Sequence, residues 1–141
     1  MKSLFFLLCF FSISLAANAQ LAKTIHQTFD LGEAETVDLN VQGDIEIEAW
    51  AGNSVMTETK IELYDATPAV LKYFVEELGR YEIEAQERGA GLALVSKDQT
   101  RRSIQYKGQQ CFETTKTKIF VPDTYEIVGD TQLRKKPQAT K

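Results

Sequence analysis

Apolar and polar side chains alternate along most of this chain. Phe29 and Leu31 alternate with Thr28 and Asp30, and Val37, Leu39 and Val41 with Asp38 and Asn40. Ile45, Ile47 and Ala49 alternate with Glu46, Glu48 and Trp50. The longest such run, Val55 to Tyr64, places Val55, Thr57, Thr59, Ile61 and Leu63 opposite Met56, Glu58, Lys60, Glu62 and Tyr64. Successive side chains of a strand point to opposite faces, so a period of two with one charged face predicts half-buried strands. Gly32, Gln42-Gly43-Asp44 and Ala51-Gly52-Asn53 separate these runs and predict turns, because Gly and Asn tolerate positive φ. Pairing across the last of these turns would set Ala49 opposite Val55, Ile47 opposite Thr57 and Asp44 opposite Lys60, with apolar positions on one side of a hairpin.

One segment changes period. Val70, Leu71, Phe74, Val75 and Leu78 have helical spacing, so a helix is expected near residues 68–78. Thr67 can accept from the first free amides, Pro68 suits the first helical position, and Gly79 suits a left-handed stop. With one apolar face and about three turns, this helix must pack on the sheet. Strand patterning resumes at Tyr81, Ile83 and Ala85, then Leu92 to Val95, Ile104 and Tyr106, Cys111-Phe112, and Ile119 to Val121 before Pro122. The predicted class is mainly β: antiparallel strands forming a small sandwich or a short β-helix-like stack, with one packed helix.

The opening of the chain reads differently. Lys2 precedes an apolar run from Leu4 to Leu15, and Ala17-Asn18-Ala19 follows. Charged start, apolar middle and small residues at the end are the parts of a secretory signal peptide, here residues 1–19 with cleavage before Gln20. The run falls short of the roughly 20 residues a spanning helix needs. Leu8, ahead of Cys9, is too large for a lipoprotein signal. The expected organisation is therefore a leader over 1–19, a β domain over 20–128 and a disordered basic tail over 129–141. Destination would be the periplasm, the cell envelope or the exterior, with no transmembrane anchor after cleavage.

Composition narrows the function classes. The net charge is −4, and Lys2 is the leader's only charge, so the exported part is more negative still. An acidic body lacks the basic face that meets phosphates, which argues against nucleic-acid partners. Loss of Cys9 with the leader leaves Cys111 alone, so no internal disulfide can form and burial must hold the fold.

Candidate chemistry is sparse. His26 is the only histidine, so a nucleophilic pair would have to join it to Cys111. Glu46 and Glu48 share one strand face and Glu82 and Glu84 another. Were those strands neighbours, the carboxylates could hold a hard cation or act as a hydrolytic pair. Calcium-loop spacing is absent, and alternating Glu is the ordinary solvated face of a sheet. Trp50, Met56 and Tyr64 fall on the same face of two adjacent predicted strands and form the candidate partner-binding cluster, unless they belong to a second small core under the helix. No catalytic residue, cofactor or metal ligand is expected.

Val41-Gln42-Gly43-Asp44-Ile45-Glu46-Ile47, with Trp50 and Val55 to Lys60 after it, resembles the opening of a bacterial family of secreted adhesin-like domains. Thr117-Lys118-Ile119-Phe120-Val121-Pro122-Asp123 is similar to that family's strand ending in Val-Pro. The resemblance spans about residues 29–125; it implies a mainly β fold, often β-helical, at the cell envelope, and brings no established catalytic residues. The helix near 68–78 departs from the pattern, and so does the short length. The expected function is an exported, non-catalytic, adhesin-like module binding a protein or envelope component. The alternative is a small exported enzyme or structural subunit acting through Cys111. An open strand edge or an exposed aromatic patch would favour the binding module.

Overall fold

The computed structural model describes residues 20–139; the expected leader, residues 1–19, lies outside them. The strands are β1 (Leu21–Asp30), β2 (Thr36–Asn40), β3 (Asp44–Trp50), β4 (Ser54–Leu63), β5 (Ile83–Arg88), β6 (Gly91–Ser96), β7 (Ile104–Tyr106), β8 (Gln109–Cys111), β9 (Glu113–Pro122), β10 (Tyr125–Val128) and β11 (Gln132–Lys135). Helix α1 (Pro68–Lys72) lies between β4 and β5. Two sheets face each other, ordered β1-β4-β9-β3 and β10-β11-β2-β6-β5, and β7-β8 form a separate hairpin. The chain is thus a mainly β sandwich rather than a β-helical stack. Both main sheets are mixed, because β3 runs parallel to β9 and β2 parallel to β6.

The odd-numbered positions of β4 show why the strands form. Val55, Thr57, Thr59, Ile61 and Leu63 are all buried. One end of this inner face packs on the second sheet in a core containing Val55, Val37, Leu39, Leu94, Ile119, Val121 and Leu133. The other end, at Ile61 and Leu63, is covered by Leu71, Val75, Tyr81, Ile104 and Cys111 in a second core. Burying side chains of this size yields about 1.5–3 kcal/mol each, which fixes the face of every long strand.

Helix α1 starts as its sequence dictates. Thr67 accepts from the Val70 amide at 3.4 Å and Pro68 occupies the first turn. A π-helical turn, Tyr73–Glu77, continues it, with the Leu78 amide reaching back to the Tyr73 carbonyl at 3.0 Å. Gly79, at φ +59, ends it in the left-handed region.

The expected hairpin between β3 and β4 is corrected. These strands do not pair; β9 lies between them, parallel to β3 and antiparallel to β4. The anticipated rows survive with one strand inserted, as Ile47–Ile119–Thr57 and Asp44–Lys116–Lys60. Face alternation fixes which residues share a row but not how many strands the row contains. Ala51–Asn53 therefore spans two strand spacings, roughly 9.6 Å, within reach of four extended Cα steps.

The expected tail over 129–141 is corrected over its first part. Gln132–Lys135 form β11 between β10 and β2, with Leu133 fully buried. One apolar inward residue makes no period, so the strand is set by its two neighbours. Arg134 points outward and pairs with Glu126, whereas Lys135, in line with Leu133 and opposite the buried Tyr125, reaches Glu33 at 3.5 Å. Leu133→Ala is expected to lower unfolding free energy by about 2–5 kcal/mol in denaturant titrations. An unchanged midpoint would show that this segment is not part of the fold.

Candidate functional site

The sequence-derived cluster separates in the structure. Trp50 ends β3, half-buried, and its Nε1 donates to the Ser54 carbonyl at 2.9 Å. Met56 lies opposite Phe120 at the same end of the first sheet's outer face. Tyr64 follows β4 at the other end, eight residues along, and its hydroxyl donates to Glu62 at 3.3 Å. At about 3.4 Å per residue, Met56 and Tyr64 are some 27 Å apart. Trp50, Met56 and Phe120 thus share one end, and Tyr64 stands alone. None of Trp50, Met56 and Tyr64 belongs to the core under the helix, which Val70, Leu71, Phe74 and Val75 fill.

The outer face between these ends is a charge ladder. Lys60 meets Glu62 at 2.7 Å, Lys116 meets Glu46 at 3.1 Å and Lys118 meets Glu48 at 3.5 Å. The Lys116 hydrogen bond and charge lower the pKa of Glu46. Glu46 and Glu48 belong to the first sheet, whereas Glu84 is on β5 of the second and Glu82 precedes it, bound to Lys97 at 2.8 Å. The two acidic rows are not neighbours, and no group of three metal-ligating side chains occurs among the described residues.

His26 and Cys111 do not meet. His26 lies on the outer face with Glu58 at 3.3 Å, whereas Cys111 is buried in the core on the inner side. The Cys111 thiol donates to the Asp65 carbonyl at 3.3 Å, and burial, then Asp65, raises its pKa.

In the two main sheets, four strands have a free edge among the described residues: β1, β3, β5 and β10. Edge β1 is the longest, at ten residues. Its far half is tied to the second sheet through Gln27, whose amide donates to the Ile83 carbonyl at 3.1 Å and accepts from the Ile83 N–H at 2.9 Å. Its near half borders a groove of about 240 Å³ against the helical segment, lined by Leu21, Lys23, Pro68, Leu71, Lys72 and Val75. Tyr73, 45% exposed, opens on the helix's other flank beside Phe74 and Tyr106. A hollow of about 400 Å³ at the opposite end of the molecule is rimmed by Asp30, Glu33 and Glu87. Among the described residues, only the β1 groove combines an apolar floor with an open backbone edge ten residues long.

No family model matches the chain, and neither a curated protein nor a solved structure matches it.

A buried polar network holds the helical segment beside the first sheet. Arg80, only 4% exposed, donates from Nε and Nη2 to the two Glu113 oxygens at 3.1 and 2.5 Å. It also reaches Asp98 at 3.4 Å and the Arg102 carbonyl at 2.7 Å. Its guanidinium lies 5.5 Å from the Phe74 ring centre. Burial pulls the Arg80 pKa down, but the Glu113 hydrogen bonds and charge outweigh it and the net shift is upward. The Tyr81 hydroxyl donates to Glu113 at 2.5 Å. Burial, then that hydrogen bond and the Glu113 charge, push the Tyr81 pKa far above its ordinary value. Sequence alternation marked none of this, because Glu113 takes an inward position at the start of β9.

The upward shift of Tyr81 sets a pH dependence. Its contribution is complete below the unfolded pKa of about 10 and is lost as pH rises toward the folded value. Stability is expected to fall above about pH 10 in the native chain and less steeply in Tyr81→Phe, measured by denaturant midpoint against pH. Identical profiles would remove Tyr81 as the cause.

Proposed function

We propose that this chain is an exported, non-catalytic partner-binding module of the adhesin-like kind, which binds by adding a partner's extended segment to the free edge of β1. The observation that carries it is the ten-residue edge beside the apolar groove under α1. An unpaired row of backbone N–H and C=O groups supplies sequence-independent hydrogen bonds, and the groove selects side chains. The segments that bear the adhesin-like resemblance are neighbours here. Gly43, at φ +89, turns the chain into β3, which then runs beside β9 in register from Asp44–Lys116 to Trp50–Pro122. Export rests on the leader-like residues 1–19. Among the described residues no helix is long and apolar enough to cross a membrane.

The alternative through Cys111 has less support, since a buried, protonated thiol is neither a ready nucleophile nor exposed for intermolecular bonding. The test uses a photo-crosslinking residue in place of Ala22, exposed on β1, and a control in place of Gln86, exposed on β5. Cells making the full chain are irradiated and fractionated. The expected result is a discrete adduct at Ala22 alone, in the envelope, periplasmic or external fraction. Equal adducts at both positions, none at either, or protein retained in the cytoplasm would refute the proposal.

A further inference from the structure

The β1 edge has a feature that narrows its partner. Lys23 occupies an inward-facing position of the strand, in line with Leu21 and Ile25, which pack on the second core. Its inner-face row continues through Ile61 to Thr115. Yet Lys23 is exposed, because the groove opens in front of it, and it forms no ion pair among the described residues. Lys72 stands across the groove with its side chain 68% exposed, touching Glu76 only at 4.0 Å. Two cations and one acid, Glu76, thus border an apolar floor made by Leu21, Pro68, Leu71 and Val75; Glu76 lies by Lys72, which leaves Lys23 as the cation without an acidic partner among the described residues.

An inward-pointing charge on an edge strand opposes indiscriminate pairing, because an added apolar strand must desolvate it without return. A carboxylate opposite Lys23 reverses that penalty by forming a charge-assisted hydrogen bond. Residues directly opposite in adjacent strands lie about 4.5–5.5 Å apart at Cβ, and those two positions away share the same face. We propose, on the footing of strand addition at β1, that the partner is an extended segment with an acidic residue opposite Lys23 and apolar residues two positions to either side. The apolar residues meet Leu21 and Ile25, and the former extends toward Leu71 and Val75. This pattern is symmetric about the acid, so it suits either strand direction. A second copy is the poorer occupant, since self-pairing centred on Lys23 sets two ammonium groups face to face.

The test is a titration of the labelled protein, followed by backbone amide NMR, with the capped peptides Thr-Val-Thr-Glu-Thr-Val-Thr and the same sequence with Gln or Lys at the centre. The Glu peptide is expected to move the amides of residues 21–25 and 68–76, and to bind about two- to fivefold more tightly than the Gln peptide. Lys23→Glu, a change at an exposed side chain, is expected to shift preference to the Lys peptide. Equal binding of all three at β1 would overturn the acidic requirement and leave strand addition standing. Shifts elsewhere, or none with any peptide, would overturn both. Dilution-dependent shifts at β1 without peptide would show a second copy as the occupant and also overturn the proposal.

Discussion

The placement of the helical segment on the first sheet depends on one buried cation. Arg80 emerges just after Gly79, where the π-helical turn has ended, and points into the second core's polar margin. Its forked donors meet Glu113 at the start of β9, its plane faces Phe74, and its remaining N–H groups close on Asp98 and the Arg102 carbonyl. A helix, a central strand and the loop before β7 converge on one side chain. Removing one partner of such a pair leaves an uncompensated buried charge, a loss of about 3–5 kcal/mol. Replacing both by apolar residues can be nearly neutral, so the pair specifies position more than it adds stability.

That position matters for what the surface presents. The first sheet's long strands extend beyond the second sheet, and the exposed end of their inner face must be covered. The helical segment and the β7-β8 hairpin cover Ile61 and Leu63 but stop short of the β1 edge. The gap between α1 and Leu21 is the groove, and Lys23 faces it because nothing else covers that point. At the other end of β1, Gln27 uses its amide as a substitute for a strand partner and joins the two sheets at Ile83. The inner face of β1 is thus tied down at one half and open to the groove at the other, while its backbone edge stays unpaired along the strand.

These arrangements explain what could be read from residues alone. Alternation assigned the inner face of β4 correctly through all five odd positions, and Thr67, Pro68 and Gly79 marked the helical segment at both ends. The stretch of β1 from Leu21 to Gln27 was not legible, because Lys23 and Gln27 interrupt its apolar period, and both do so for tertiary reasons. β11 has a single apolar inward residue, Leu133, and becomes a strand only by lying between β10 and β2. The insertion of β9 was equally invisible, since a row of same-face residues reads alike with or without a strand between its ends. Of the proposed cluster, Trp50 and Met56 lie at one end of the sheet on either side of β9, and Phe120 between them was missed because its strand is distant in sequence. The groove itself is a gap between elements, which leaves no pattern along a chain.

The most direct measurement is a double-mutant cycle on Arg80→Met and Glu113→Leu, by denaturant unfolding. Each single change is expected to cost about 3–5 kcal/mol, with the double variant losing less than the two together by at least about 1 kcal/mol. Additive losses within about 0.5 kcal/mol would contradict the view that this pair holds the helical segment on the sheet.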